Sequence, residues 1–538
     1  MPEVIQEWVT RQADRRPEGT AVAGADRTLT YGEIEALSNR LARSLRERGC
    51  AQGDRIALLM PKSATAIACI VGIYKAGCVY VPLDPASPVG RLQRIVRACG
   101  SRWVLAAGPV GDALEALTTG GEAVPGLAVG WLGRAPAEGR RFTPSLTPAE
   151  IEAHPSGWLA CATRSHDPAH ILFTSGSTGA PKGVVITHAN VIHFVEWAKG
   201  YFGLGPDDRL SGHSPLHFDL SVFDIFGAFA AGATLCLVPP ELNVLAHRLA
   251  DFIRSERLTQ WFSVPSVLNY LARFDAIRDG DFPALRRVLW CGETLPTPTL
   301  IHWMRRLPHP VFTNLYGPTE TTIASSYYTL PGCPGDERAP IPIGSACGGE
   351  ELLVLDPDLR PVPRGEAGEI YIAGAGVSPG YWNDPDATRA AFRPDPRKGE
   401  GEERIYRTGD MGRVGDEGLV YFLGRVDSQI KSRGYRIEIG EVESALSCLG
   451  FLSESAVVAI KSEGFEGALL CCGYVARPGA IPTPVDLRRE LGRALPGYML
   501  PARWRAFERL PVNANGKIDR RALKEVFEQH ESQTARHA

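Results

Sequence analysis

Alternating helix-like and strand-like segments, which begin at Thr28, restrict the fold of this 538-residue chain more than any other feature. Segment 31–49 has apolar residues at helical spacing, and it is followed by an apolar, strand-like run at 55–60. A helix-like stretch at 63–77 and a second strand-like run at 78–84 continue the pattern. Strands that alternate with helices in this way predict a mostly parallel α/β sheet.

Later regions change in character. Residues 166–325 continue the α/β pattern, whereas 340–423 hold short alternating runs broken by Gly and Pro, which predict an all-β subdomain. After Gly424 the sequence passes from a polar loop to a helix and then to strands, which predicts a separate α+β domain. Residues 105–165 are rich in Gly, Ala and Pro with weak periodicity, and we expect variable surface structure there.

Composition narrows the class of protein. The chain has 58 Lys and Arg against 61 Asp and Glu, a net charge of −3 that gives no reason to expect nucleic acid or an anionic membrane as a partner. No run of about 18 apolar residues is present, and the first residues lack the apolar stretch of a secretory signal. Twelve scattered Cys fit buried thiols in a reducing compartment. We therefore expect a soluble, cytoplasmic globular protein.

The strongest motif is ILFTSGSTGAPKGVVITH at 171–188. An apolar strand runs into a loop rich in Gly, Ser and Thr, and small residues let backbone N–H groups approach phosphate oxygens closely. Lys182 precedes Gly183, so the motif is not the nucleotide-binding pattern G-x-x-x-x-G-K-[ST]. It is also not the G-x-S-x-G turn of a hydrolase nucleophile, which makes Ser175 and Ser177 poor nucleophile candidates. The motif predicts a phosphate-binding loop.

This motif resembles the signature of the adenylate-forming superfamily, which includes acyl-CoA ligases, luciferases and adenylation domains of nonribosomal peptide synthesis. Six further segments resemble family motifs in the family's order: YKAGCVYVPLD (74–84), HFDLSVFDIFGAF (217–229), NLYGPTETT (314–322), YRTGD (406–410), GRVDSQIKSRGYRIEIGEVE (424–443) and NANGKIDR (513–520). The form GRVDSQIKSRGYRIE is similar to that of the amino-acid-activating branch.

The resemblance implies an α/β fold with a large N-terminal domain of two α/β sheet subdomains plus a small β subdomain, and a smaller, mobile α+β C-terminal domain. The expected boundaries are 1–426 for the N-terminal core and 427–530 for the C-terminal lid domain, with a disordered tail at 531–538. Asp427 matches the family's hinge position, and Lys431 and Gly434 belong to the loop expected near the thiol channel. An ordinary linker aspartate remains the alternative for Asp427.

The implied reaction has two steps. A carboxylate attacks the α-phosphate of Mg·ATP, and a phosphopantetheine thiol then displaces AMP. The expected cofactors are ATP and Mg²⁺, and the expected catalytic residues are Lys182, Thr319, Glu320 and Lys517, with Glu320 as the metal ligand. The residues expected to bind the nucleotide are Thr174, Ser175, Gly176, Ser177, Thr178, Gly179, Gly292, Glu293, Asn314, Tyr316, Asp410 and Arg425.

Asp219 indicates which class of carboxylic acid is activated in the implied reaction. In amino-acid-activating relatives an aspartate at this place pairs with the substrate's α-ammonium group, a contact that aryl and fatty acids cannot make. The other implied pocket positions are Leu220, Phe223, Phe262, Leu289, Cys291, Leu315, Ile323 and Ala324. They offer no ionisable group apart from a thiol and they fill volume, so we expect a compact apolar amino acid.

The pocket set is similar to that of stand-alone proline-activating enzymes, which load L-proline for oxidation to a pyrrole-2-carboxyl group. D-alanine–carrier protein ligases and other small-amino-acid enzymes remain alternatives, and aryl- or acyl-CoA ligation is disfavoured by Asp219. A degenerate scaffold is disfavoured because Lys182, Glu320, Asp410 and Lys517 are all present. The sequence has no carrier-domain segment after Lys517, so we expect a free-standing enzyme that meets a separate carrier protein.

Overall fold

Two large sheets and the helices between them account for most of the first 350 residues, as the alternating pattern predicts. A computed structural model describes the chain apart from residues 134–140, 177–180, 400–402, 427–428, 462–467, 513–517 and 536–538. The first elements are α1 (Glu7–Arg15), β1 (Thr20–Ala23), β2 (Thr28–Thr30), α2 (Tyr31–Glu47), β3 (Arg55–Leu59), α3 (Ala64–Lys75), β4 (Val79–Pro82), α4 (Val89–Cys99), β5 (Trp103–Ala106), α5 (Gly111–Thr118) and β6 (Ala128–Trp131).

The α/β pattern then continues to the end of the second sheet. Its elements are α6 (Pro148–Glu152), β7 (Pro168–Thr174), β8 (Lys182–Thr187), α7 (His188–Phe202), β9 (Arg209–Gly212), α8 (Leu220–Ala231), β10 (Thr234–Leu237), α9 (Ala246–Ser255), β11 (Gln260–Ser263), α10 (Pro265–Arg273), β12 (Arg287–Cys291), α11 (Thr297–Arg306), β13 (Val311–Tyr316), β14 (Ser326–Thr329) and β15 (Ser345–Ala346).

The remaining elements are mostly strands. They are β16 (Glu350–Leu355), β17 (Ala367–Gly374), β18 (Gly380–Tyr381), α12 (Pro385–Ala391), β19 (Phe392–Pro394), β20 (Arg404–Val414), β21 (Val420–Arg425), β22 (Gln429–Ser432), β23 (Tyr435–Glu438), α13 (Ile439–Ser447), β24 (Leu452–Lys461), β25 (Ala468–Ala476), α14 (Pro484–Leu491), β26 (Arg503–Ala506) and α15 (Arg520–Ala535). In the part of the chain that the structure describes, no helix has the length and apolar character needed to cross a membrane.

Strand order confirms the predicted α/β class. The nine-stranded sheet has the order β15-β14-β13-β12-β11-β9-β10-β1-β2, and its strands are parallel from β13 to β1. The seven-stranded sheet has the order β18-β8-β7-β4-β3-β5-β6. The largest apolar cluster contains residues of both sheets and of α2, α3, α7 and α8. Each of these helices therefore has an apolar face that packs in the core, as layered α/β folds require.

The small β subdomain is also confirmed. Strands β16, β17, β20 and β19 form a sheet in which β21 pairs with β20, and each pairing is antiparallel. The chain divides into two compact units: the first holds Met1–Pro85, Val96–Phe173 and Gly183–Val426, and the second holds Ala86–Ile95, Thr174–Lys182 and Asp427–Ala538.

Three segments differ from the sequence-based expectation. In 105–165, β6 pairs in parallel with β5 as the last strand of the seven-stranded sheet, and Leu114 and Leu117 are buried, so this region is not only variable surface. The expected polar loop after Gly424 contains the β22–β23 hairpin. Helix α15 continues to Ala535, into the segment 531–538 for which a disordered tail is expected from the sequence.

Candidate active site

The carboxyl ends of three neighbouring parallel strands, β11, β12 and β13, bring the predicted pocket residues together. Phe262 pairs with Leu289, and Cys291 pairs with Leu315, so these positions are in register across the sheet. We use the term apolar pocket for the eight residues that the sequence assigns to it besides Asp219, all of which are buried members of one apolar cluster: Leu220, Phe223, Phe262, Leu289, Cys291, Leu315, Ile323 and Ala324.

Aromatic packing makes the apolar pocket compact. The Phe223 and Phe262 rings meet edge to face, with centroids 5.6 Å apart and an interplanar angle of 72°. On its other side Phe223 packs edge to face against Phe194 at 5.4 Å. The Cys291 thiol lies 3.7 Å from the Ile323 carbonyl oxygen. Packing this close is compatible with a small apolar substrate group and not with a second large ring.

Asp219 directly precedes the first residue of α8 and is only 9% exposed. Its negative charge reaches Tyr80 on β4: burial raises the pKa of Tyr80, and the Asp219 carboxylate raises it further. Tyr80 is not found by sequence reasoning, because a buried tyrosine in an apolar strand gives no signal that distinguishes it from core. A buried carboxylate beside apolar walls is suited to an ammonium partner.

The turn after β13 is strained. Gly317 has no room for a side chain, since a Cβ there would lie 2.6 Å from the Ala324 Cα. Thr322 and Ile323 both have positive φ, at 62° and 71°, which is a rare conformation for β-branched residues. Strain of this kind concentrates at functional sites. The turn carries Thr319, which is partly exposed, and Glu320, which is 1% exposed.

Glu320 is held from β18. The Tyr381 hydroxyl donates to Glu320 Oε1 at 2.8 Å, and the Ser378 N–H donates to the Glu320 carbonyl oxygen at 3.0 Å. Tyr381 is a second residue that sequence reasoning does not find. It lies 61 residues beyond Glu320 in a strand of two residues, so neither spacing nor periodicity marks it. The contact fixes a buried carboxylate at the turn.

A second polar contact group joins β13 to the small β subdomain. The Tyr316 hydroxyl donates to Asp410 Oδ2 at 2.6 Å, and Arg425 pairs with Asp410 Oδ1 from the facing position of β21. Burial and the Asp410 charge raise the pKa of Tyr316 well above its usual value, which keeps its hydroxyl a donor. The polar cluster of this site consists of Tyr316, Glu320, Tyr381, Asp410 and Arg425.

The other predicted nucleotide residues of the first unit lie near these strand ends. Asn314 is buried and donates from Nδ2 to the Pro342 carbonyl oxygen at 2.8 Å, which fixes the orientation of its amide group. Gly292, directly after β12, has a φ of 99°, and Glu293 Oε2 accepts from the Ser266 N–H at 3.1 Å. The structure therefore places Asn314, Gly292 and Glu293 at the edge where β12 and β13 end.

The phosphate-loop residues belong to the second unit. Thr174 ends β7, Ser175 Oγ donates to the Arg436 carbonyl oxygen at 2.7 Å, and Lys182 begins β8. Gly176 is described, whereas Ser177, Thr178 and Gly179 lie outside the described residues. Asp427 and Lys517 lie outside them as well.

The β22–β23 hairpin carries the two residues expected near the thiol channel. Lys431 lies on β22 opposite Arg436. The two residues of the turn are Arg433, with a φ of 53°, and Gly434, with a φ of 81°. Positive φ at both central residues gives the twist that a tight hairpin needs. In the same unit Arg91 and Glu441 form a buried ion pair at 2.6 Å, which sequence reasoning does not find.

Comparison with known proteins identifies the class of enzyme to which this fold belongs. The family described as AMP-binding enzyme matches residues 9–382, and the AMP-binding enzyme C-terminal domain matches residues 441–517. The chain belongs to the AMP-binding enzyme family, whose adenylate-forming members use ATP.

The relatives include an L-proline–[L-prolyl-carrier protein] ligase from Pseudomonas fluorescens, which is 35% identical over 536 residues, or 98% of this chain and 99% of the relative. The phosphinothricin tripeptide synthetase PhsC from Streptomyces viridochromogenes is 37% identical over 96% of this chain, and bacitracin synthase 1 from Bacillus licheniformis is 33% identical over 97%. The chain spans only 44% of the first of these synthetases and 9% of the second.

A solved structure shares the same fold. The adenylation domain AlmE of Vibrio cholerae, in complex with glycyl-adenosine-5′-phosphate, is 26% identical with a TM-score of 0.85, and the match covers 98% of each chain.

Proposed function

We propose that this chain is an amino-acid–[carrier protein] ligase of the nonribosomal peptide type, with L-proline as its preferred substrate. It activates the amino acid with ATP as an aminoacyl adenylate and transfers the acyl group to the phosphopantetheine thiol of a carrier protein. We place it in the cytoplasm, in line with its twelve free cysteines. A prolyl thioester can be oxidised to a pyrrole-2-carboxyl group, so we propose natural-product biosynthesis as its setting.

The observation that carries this proposal is a buried carboxylate beside a compact apolar pocket. Asp219 is 9% exposed and directly precedes Leu220, the first pocket residue, on α8. A carboxylate in such a place is stabilised by an ammonium ion and penalises acids that lack one. The similarity to the proline ligase over nearly the full length of both chains supports a cyclic amino acid.

In the first step an oxygen of the amino-acid carboxylate bonds to the α-phosphorus, and the bond from that phosphorus to pyrophosphate breaks. Negative charge from two anions gathers at this point, so cations and hydrogen-bond donors lower the barrier. We assign Thr319 to the α-phosphate and Lys517 to the reacting carboxylate. Thr174, Ser175 and Gly176, together with Ser177, Thr178, Gly179 and Lys182, would hold the outer phosphates.

Nucleoside binding falls to the polar cluster and its neighbours. Asp410 accepts one hydrogen bond at each oxygen, from Tyr316 and Arg425, and each oxygen keeps acceptor capacity for a ribose hydroxyl. The Tyr316 ring would stack on adenine, with Asn314 at its amino edge and Gly292 and Glu293 nearby. Arg425 would contact both the ribose and the phosphate.

Glu320 fits a magnesium ion. It is a buried carboxylate whose position is fixed by Tyr381, and hard cations such as Mg²⁺ take carboxylate oxygens together with phosphate oxygens and water. When bound, the ion would neutralise phosphate charge, while Glu320 would hold it beside Thr319.

In the second step the thiol sulfur bonds to the acyl carbon, the bond from that carbon to AMP breaks, and the thiol proton is lost. We assign Lys431 and Gly434, on the β22–β23 hairpin, to the path of the phosphopantetheine arm. Asp427 would be the hinge about which residues 427–530 turn relative to residues 1–426 between the two steps, which withdraws Lys517.

A smaller amino acid is the second candidate. The AlmE structure holds glycyl-adenosine-5′-phosphate, and the fold similarity extends over 98% of both chains. Cys291 would then be the pocket residue to examine, since its thiol lies against the turn at Ile323. D-alanine and L-alanine belong to the same group of alternatives.

Amino-acid-dependent exchange of pyrophosphate into ATP tests the proposal, with L-proline, glycine, D- and L-alanine, L-valine, L-serine and benzoate as substrates. We expect strong exchange with L-proline and little with the others. Preference for glycine or alanine would favour the second candidate function, activation of a smaller amino acid. Exchange with benzoate alone would refute the role of Asp219.

A further inference from the structure

Lys62 lies in the short link between β3 and α3, outside the predicted site, and its ammonium group meets three consecutive backbone carbonyls. Nζ donates to the carbonyl oxygens of Gly212, of His213 at 2.6 Å and of Ser214 at 3.4 Å. A lysine ammonium group has three N–H donors, so the number of carbonyls matches the number of donors. Burial lowers the pKa of Lys62 to about 8, which leaves the amine largely protonated at neutral pH.

These carbonyls belong to the end of β9 and the start of link 213–219. A hydrogen-bonded turn follows, in which the Phe218 N–H donates to the Pro215 carbonyl oxygen at 3.0 Å. The Asp219 carbonyl oxygen then accepts from the Val222 N–H at 2.9 Å in the first turn of α8. Lys62 therefore holds the link at one end, and α8 holds it at the end that carries Asp219.

Asp224, one turn into α8, is the acidic group next to Lys62. It is 1% exposed, and burial raises the pKa of its carboxyl group well above the usual value, while the Lys62 ammonium ion opposes that rise and Asp224 in turn raises the pKa of Lys62. The N–H groups of His213 and Ser214 point toward that carboxylate, but within the described part of the chain no donor meets full hydrogen-bond geometry with either oxygen. Loss of Lys62 would leave three carbonyls without this donor, and it would remove the cation that opposes the neutralisation of Asp224.

The nearby imidazole does not replace that cation. Burial and, to a smaller extent, the charge of Lys62 lower the pKa of His213 to about 3, so the ring is neutral at pH 7. Lys62 is the positive charge to which Asp224 responds.

We propose that Lys62 is a positioning residue for amino-acid recognition: by holding link 213–219 it fixes Asp219 where the substrate ammonium group binds. This inference rests on the proposed function. Lys62 itself touches the backbone and not the substrate, so its effect is on the affinity for the amino acid more than on the affinity for ATP.

The test is Lys62→Met in pyrophosphate exchange, with KM measured separately for the amino acid and for ATP. We expect KM for the amino acid to rise at least about tenfold, and KM for ATP to stay within about twofold, because charge-assisted hydrogen bonds are the strong ones. Lys62→Arg, which keeps the charge and several donors, should restore most of the amino-acid affinity.

Lys75→Met is the matched control. Lys75 is also buried near the end of α3, where it pairs with Glu35 at 2.6 Å and donates to Asn39 Oδ1 at 2.8 Å, away from link 213–219. Burial lowers its pKa to about 8 as well. The control should lower the melting temperature without changing either KM.

Equal rises in both KM values for Lys62→Met, or an unchanged KM for the amino acid, would overturn the inference. If Lys62→Met does not fold, the shorter, uncharged Lys62→Gln replaces it, and an unchanged amino-acid KM in that variant would also overturn the inference. Failure of the wild-type enzyme to exchange with any amino acid would instead refute the proposed function.

Discussion

The polar cluster and the apolar pocket meet at the end of β13 and in the turn that follows it, but they are held together by different forces. In the polar cluster each member has a named partner, such as Tyr316 on Asp410 at 2.6 Å and Tyr381 on Glu320 at 2.8 Å. In the apolar pocket the side chains pack against one another without polar partners. Phe223, for example, packs against the rings of Phe194 on α7 and Phe262 on β11. Single substitutions should therefore remove a function from the cluster but only shift a preference in the pocket.

The largest expected effect is at Asp410. Asp410→Ala leaves Arg425 and the Tyr316 hydroxyl without their acceptor, and breaking a buried ion pair costs about 3–5 kcal/mol. We expect exchange activity to fall on the order of 1,000-fold, because Arg425 is left in the site without its counter-ion.

Glu369→Gln is the control for Asp410→Ala. Glu369 pairs with Arg407 across the same small sheet, but Arg407 is 43% exposed, so that pair should contribute little. Similar losses of exchange activity in Asp410→Ala and Glu369→Gln would show that the Asp410 ion pair has no special role in the site.

Glu320→Gln comes next. It keeps the shape of the side chain but removes the charge that would hold Mg²⁺, so we expect exchange to fall about 100-fold, the scale for losing a group that stabilises transition-state charge. Titration with magnesium should show a higher requirement in the variant. An unchanged magnesium requirement would remove Glu320 from the metal site.

Tyr381→Phe should have a smaller effect within the cluster. It removes one hydrogen bond to a carboxylate, so we expect kcat/KM to fall about tenfold, since such a bond contributes about 1.5–3 kcal/mol. Tyr421→Phe is the matched control, because Tyr421 donates to the exposed Glu417. Equal effects in the two variants would mean that the Tyr381 contact has no special role.

Phe223→Leu should change preference rather than rate. Leucine is apolar like phenylalanine but smaller, so the change enlarges the pocket without adding a polar group. We therefore expect KM for proline to rise about threefold while larger apolar amino acids gain. Phe229→Leu on the same helix is the control: Phe229 is also fully buried but packs against Tyr31 and Phe226. If both variants had the same substrate profile, Phe223 would not line the pocket.

The contrast also explains what the sequence could predict. The α/β class followed from periodicity. The site residues on β11, β12 and β13 are implied by the resemblance to the adenylate-forming superfamily and stay predictions, although the structure places them at neighbouring strand positions. Tyr381 could not be found, since its contact with Glu320 is a tertiary one across 61 residues.

The differences between the expected and the observed fold have similar physical causes. Strand β6 is only four residues long and contains Gly130, so its pairing with β5 produced no visible alternation. The β22–β23 hairpin turns at Arg433, whose positive φ is not signalled by its residue type. Nothing in the sequence marks Lys62, because its three carbonyl partners lie about 150 residues further along the chain.

The most direct test of the central claim compares L-proline with cyclopentanecarboxylate, which keeps the ring and the carboxylate but lacks the amine. We predict that the wild-type enzyme exchanges strongly with L-proline and hardly at all with cyclopentanecarboxylate, and that Asp219→Asn removes most of this difference. Equal use of both acids by the wild-type enzyme, or unchanged selectivity in Asp219→Asn, would contradict the assignment of Asp219 to the substrate ammonium group.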